Sequence, residues 1–126
     1  MNNKRLGNNW EKQFTEILAS KGFWVHFITP NIAGQQPFDI IAVKDNRPYA
    51  IDCKTAVKPI FPLSRLENNQ VNAFELWLQC GNDNALVAVK YEGKFYQIPY
   101  DYLKKYGKID LRFLTGENID VGNSRK

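Results

Sequence analysis

The sequence predicts an α/β (α+β) domain, a mixed central β-sheet with helices on its faces. Three observations predict it. Helical and strand periodicities follow one another in the order α-β-β-β-α-β-β-α. One late run, Ala85 to Tyr91, is apolar nearly throughout, as in a strand covered on both faces. The 126 residues suffice for a single core, and their apolar and charged fractions are those of an ordinary globular domain. Residues 1–114 are expected to form that one domain, with 115–126 as a polar tail that frays.

Asn8 and Asn9 are N-cap candidates for a first helix running to about Lys21, with Gly22 as its stop. Trp10, Phe14, Ile17 and Leu18 recur at i, i+4, i+7 and i+8 and make one apolar stripe. Lys12 and Glu16 fall on the wet side. At about 100° per residue, Glu11 projects almost beside Leu18, on the rim of the stripe. From there its carboxylate can reach the end of a sheet packed beneath; equally, it can be a first-turn acid that favours the helix dipole. Phe23 to Thr29 reads as a strand, and its His26 has no second histidine or cysteine with which to share a metal. Pro30 to Gln36 is a loop, with Asn31 and Gln36 as surface amides.

The next stretch organises the chain. Gln36 to Val43 and Tyr49 to Lys54 are short, apolar and rich in β-branched residues, and Lys44-Asp45-Asn46-Arg47-Pro48 between them has turn chemistry. This predicts a β-hairpin. Whether the loop holds two residues (Asp45-Asn46) or four (Lys44 to Arg47), Asp39 falls opposite Asp52. Opposed residues share a face with Cβ atoms roughly 5 Å apart, and alternation brings Lys54 to that face too.

Two like charges facing each other destabilise a ladder unless something neutralises them. Mg²⁺ does so, taking one or two carboxylates together with water and phosphate oxygens, and the backbone carbonyl of Cys53 can add another oxygen. Lys54 can orient a water or stabilise an oxyanion. The layout is that of a metal-assisted phosphodiester hydrolase. The plain alternative is a hairpin whose acids sit at the solvated end of a sheet.

Beyond Lys54, Thr55 to Leu63 is too proline-rich for a helix interior. Ser64 or Asn68 can cap a second helix that carries Val71, Phe74, Leu76, Trp77 and Leu78 to Gly81. Gln70, near its start, is either an exposed amide or a hydrogen-bonding group facing the acids. Ala85–Tyr91 and Lys94–Ile98 are strands joined at Glu92-Gly93; a short helix from Tyr100 to Tyr106 and a strand from Ile109 to Leu114 complete the domain.

A net charge of +4 and a pI near 9.1 permit a polyanionic partner. The two cysteines, Cys53 and Cys80, have no metal spacing and read as reduced core thiols of a cytoplasmic protein. No apolar run is long enough to span a membrane, and Met-Asn-Asn-Lys-Arg lacks a signal-peptide core.

Pro37-x-Asp39, a spacer, then Asp52-x-Lys54 resembles the PD-(D/E)xK nuclease motif. Gly7-x-x-Trp10-Glu11, Leu18-x-x-Lys21-Gly22-Phe23-Trp24, Pro37-x-Asp39-Ile40-Ile41-Ala42, Ala50-Ile51-Asp52-x-Lys54 and Leu86 to Tyr91 extend the likeness to archaeal-type Holliday junction resolvases. Phe61-Pro62-Leu63 followed by Gln70 is similar to the bacterial RecU branch of the same superfamily. The resemblance covers roughly residues 7–100 and implies a restriction-endonuclease-like fold. It implies that Glu11, Asp39 and Asp52 bind the metal, that Lys54 is the catalytic lysine, and that Gln70 is accessory. It also implies Mg²⁺ or Mn²⁺ as cofactor, a homodimer, and paired nicks across a four-way junction. Two features depart from the pattern: Asp52 stands where the resolvases usually have Glu, and the loop from Pro30 to Gln36 lacks a clear serine and is too short for the RecU stalk.

The expectation is therefore a Mg²⁺-dependent, structure-selective endodeoxyribonuclease, cytoplasmic and of cellular or viral origin, that resolves branched double-stranded DNA. Lys4, Arg5, Lys58 and Arg65 flank the site in sequence and are the candidate phosphate contacts. The rivals are a restriction- or repair-type endonuclease of the same fold and a non-catalytic DNA-binding module.

Overall fold

A computed structural model describes residues 3–28 and 37–114, with side chains from residue 9 onward. The elements run α1 (Asn3–Ser20), β1 (Trp24–Phe27), β2 (Ile40–Lys44), β3 (Arg47–Ala56), β4 (Ile60–Pro62), α2 (Asn68–Gln79), β5 (Ala85–Tyr91), β6 (Lys94–Pro99), α3 (Tyr100–Tyr106) and β7 (Lys108–Asp110). Single 3-10 turns follow β4 at Leu63–Arg65 and β7 at Leu111–Phe113.

Five strands form one mixed sheet in the order β1-β2-β3-β5-β6. Only the central pair, β3 with β5, is parallel; its crossover passes through β4 and α2. The β2–β3 hairpin takes the two-residue form, with Lys44 paired to Arg47 and left-handed backbone at Asp45 (φ 55°) and Asn46 (φ 67°). Such turns match the twist of the strands they join. Glu92 and Gly93 repeat the device between β5 and β6.

Each face of the sheet carries a core. On one side Trp10, Phe14 and Leu18 of α1 pack on Ile40, Ala42, Ile51, Cys53, Leu86 and Ala88. The Trp10 indole N–H is bound at 3.0 Å by the Ala88 carbonyl, which pins α1 to the middle of the sheet. On the other side α2 and α3 contribute Phe74, Tyr100 and Leu103 against Ala50, Val87, Val89 and Ile98. The odd and even residues of each strand serve opposite cores, as period-2 geometry requires.

The sheet, its mixed character and the hairpin register agree with the sequence; the element ends differ. The first helix starts at Asn3, so Asn8 and Asn9 are interior residues and not caps. Gly22, at φ +92°, does end it. Neither Ser64 nor Asn68 caps α2: its N-cap is Glu67. The expected last strand shortens to β7, because Asp110 bends the chain by accepting the Arg112 N–H. The segment after Lys54 holds β4, which pairs with β7 in a separate ribbon. Leu76 faces outward, and Cys80 is exposed at the end of α2, so only Cys53 is a core thiol. The loop residues Asn31 and Gln36, the tail 115–126, and the side chains of Lys4 and Arg5 lie outside the described residues.

Candidate active site

The site lies where β2 stops and β3 continues. β2 begins at Ile40, paired with Ile51, whereas β3 runs on to Ala56. Register places Asp39 opposite Asp52, but Asp39 stands just outside the ladder. Its N–H donates to the Ile51 carbonyl at 3.0 Å, and its Oδ2 accepts the Cys53 N–H at 2.8 Å. The aspartate thus fills the first place left vacant by the missing strand partner.

Asp52 and Lys54 project to the α2 side. Gln70 sits in the first turn of α2, and its amide is held at both ends. Its Oε1 accepts the Glu67 N–H (3.0 Å) at the helix start and also the Lys54 ammonium (3.1 Å). That orientation turns Nε2 onto Asp52 Oδ1 at 2.9 Å. The other Asp52 oxygen, Oδ2, is buried without a hydrogen-bond partner among the described residues; Lys54 Nζ stands 3.3 Å from it, as an ion pair out of hydrogen-bond alignment.

Asp52 has no exposed surface. Burial pushes its carboxyl well above the usual carboxylate range; the Asp39 charge adds to this and Lys54 pulls back. Glu11 approaches from α1, on the opposite face of the sheet. Its acid is pushed up to about 7, first by burial and then by Asp39, with Lys54 again opposing. Both acids feel Asp39 and Lys54, so the two layers meet at the end of β2. The Cys53 thiol, on the α1 side, is pushed up by burial and by the three carboxylates. Among the described residues no three histidine, cysteine or acidic side chains form a ready-made metal cluster. Asp39 and Asp52 are the close pair, and Glu11 lies near enough to feel the charge of Asp39.

A family model for the archaeal Holliday junction resolvase, Hjc, matches residues 2–122. The chain belongs to that family. Its members are endonucleases, and this chain is one by membership. In three dimensions it is similar to Hjc of Archaeoglobus fulgidus, a Holliday junction resolvase from an archaeal hyperthermophile. The TM-score is 0.63 at 24% identity, over 81% of this chain and 85% of that one, and the likeness is one of fold. No curated protein matches significantly.

Of the residues singled out in the sequence, Asp39, Asp52, Lys54 and Gln70 come together, and Glu11 borders them. Glu11 is the ninth residue of α1, too far along for the first-turn role. His26 is exposed on β1 and stacks on Trp24 at 6.1 Å, away from the acids. Arg65 donates to the Thr55 carbonyl at 2.8 Å and lies over the Phe61 ring. It covers the free edge of β3 that β2 leaves open, a role with no local sequence signal. The clamp on Gln70 does have one: Glu67-x-x-Gln70 has the spacing of a capping box.

Proposed function

We propose that the protein cuts four-way DNA junctions by divalent-cation-dependent phosphodiester hydrolysis, acting as a homodimer. One observation carries this reading. A fully buried carboxylate keeps one oxygen without a hydrogen-bond partner among the described residues, beside a second aspartate and the Lys54 ammonium, in a resolvase-family fold. Buried acids are ordinarily satisfied by the protein itself; this one is half-satisfied, which suits a cation ligand.

Asp39, Asp52 and Glu11 would hold Mg²⁺ or Mn²⁺, with the Cys53 carbonyl as a further oxygen. The Cys53 N–H already faces Asp39, and the carbonyl of a strand residue points to the same edge as its N–H. Bound there, the cation would neutralise the acids and draw charge from a phosphate oxygen. Lys54, held by Gln70 and Asp52, would steady the negative charge that grows on the phosphoryl oxygens as the bond breaks. Gln70 keeps one Asp52 oxygen occupied, leaving Oδ2 for the ligand. Lys4, Arg5, Lys58 and Arg65 would contact DNA phosphates. The two-fold symmetry of a junction fits a dimer that offers one site to each of two strands.

The test is cleavage of a synthetic mobile junction and of a linear duplex of the same sequence, in Mg²⁺, Ca²⁺ or chelator. The junction is expected to be cut in Mg²⁺ alone and the duplex spared. Asp39→Asn and Lys54→Ala should each lower the rate at least about a hundredfold while junction binding persists. Equal cutting of both substrates would instead make the enzyme a repair- or restriction-type nuclease. Binding without metal-dependent cutting would leave a DNA-binding module.

A further inference from the structure

Immediately past the site the chain leaves the main sheet and forms the β4–β7 ribbon. Phe61 and Ile109, paired across it, are buried; Ile60, paired with Asp110, faces out. Two further apolar side chains lie in the segments flanking the ribbon, Val57 at 93% exposure and Phe113 at 83%. A bond from the Leu111 N–H to the Pro59 carbonyl (2.8 Å) ties those segments together. Large apolar groups left exposed on segments tied together at the backbone are candidates for a contact surface. The surrounding charge is mainly positive: Lys58 and Lys108 are exposed, and the ribbon's acid, Asp110, is occupied by Arg112 at 2.7 Å.

Val57 lies three residues from Lys54, a reach of at most about 11 Å, or roughly three base steps. DNA whose scissile phosphate sits at Lys54 therefore has neighbouring steps within reach of Val57, at the entry to this ribbon. A continuous duplex offers phosphates there, with its bases stacked away. A branch point offers the open faces of bases, against which apolar side chains can wedge.

We propose that Val57, Ile60 and Phe113 form an apolar wedge for the unstacked bases at a junction's branch point, with Lys58 and Lys108 on the phosphates beside it. The proposal rests on the junction-cutting reading above. It assigns preference for branched DNA to this ribbon and leaves the chemistry with the acids.

The test uses the full chain in chelator, with 2-aminopurine at the branch point of a four-way junction and a matched linear duplex. Binding of the unaltered protein should raise the fluorescence as the base unstacks. Val57→Ser with Phe113→Ser should lose most of that rise and weaken junction binding about tenfold, with duplex binding unchanged. Val57→Ser alone, at a site that packs on little, should show a smaller loss of the same kind. Lys58→Ala should weaken both substrates alike and reduce the salt slope by about one. A double variant that keeps the fluorescence rise and the junction affinity overturns the wedge. So does one that loses both substrates equally, or one that changes oligomeric state, which would make the ribbon a contact between copies. If the unaltered protein shows no preference for the junction, the reading beneath fails and the wedge falls with it.

Discussion

Each carboxylate of the site is distinguished by what surrounds it. Glu11 is held near 7 because it is half-buried and close to Asp39. Between about pH 4.5, its ordinary value, and pH 7 the folded protein keeps a proton that the unfolded chain has released. Stability contributed by this group is therefore present at low pH and lost as pH rises through 7. Asp52, also raised, acts with the same sign. In chelator the protein should lose stability between pH 5 and pH 8. Glu11→Gln should flatten that slope by about 1–2 kcal/mol, allowing for the part of Glu11 that faces solvent. Urea melts at the two pH values measure it, and a wild type equally stable at both would contradict the surroundings ascribed to Glu11. The sequence placed Glu11 on the rim of a helical stripe by angle alone. Its meeting with Asp39 was not legible, because it depends on β2 beginning only at Ile40, one residue after Asp39.

At the scale of elements, the hairpin turn and the first helix set the geometry. The turn fixes which residues of β2 and β3 oppose each other, and a slip of one would send Asp52 to the other face. Asp45 and Asn46 accept left-handed backbone that β-branched or alanine side chains resist at about 1 kcal/mol or more per residue. Replacing both with Ala should therefore cost about 2 kcal/mol and lower cleavage, read by urea melts and the junction assay together. Trp10→Phe should cost about 1–2 kcal/mol by removing the indole N–H that the Ala88 carbonyl binds in the α1 core. It should also lower activity, since Trp10 adjoins Glu11; full activity in that variant would make α1 a mere cover. The hairpin was readable because period, turn residues and register agree over consecutive positions. The ends of α1 and α2 were not. Asn8 and Asn9 look like caps only until the helix continues past them, and Glu67 caps with a partner three residues away. The β4–β7 ribbon was hidden for a related reason: its strands are short and pair across some fifty residues, beyond any local periodicity.

For the molecule as a whole, the two cores stabilise the fold and the acids at their meeting point work against it. A sheet filled on both faces has no structural need for a fully buried aspartate with one oxygen lacking a hydrogen bond among the described residues, and desolvation makes its charge costly. If Asp52 is kept for a cation, removing its charge should strengthen the apo protein. An amide at this position still accepts from Gln70 and offers an N–H toward Asp39, while Lys54 keeps Gln70 as a partner. Asp52→Asn should therefore raise stability in chelator by about 1–3 kcal/mol at pH 8, the measure of a buried charge whose desolvation Lys54 and Gln70 offset only in part. Mg²⁺ should then reverse the order. It should stabilise the wild type by roughly 2.7 kcal/mol at a hundred times its dissociation constant, leave Asp52→Asn unmoved, and support cutting only in the former. Thermal melts of both proteins with and without Mg²⁺ decide the matter. A variant less stable in chelator would mean that the Lys54 ion pair outweighs desolvation. Asp52 would then be a structural partner, and the case for a cation between the two strands would lose its physical basis.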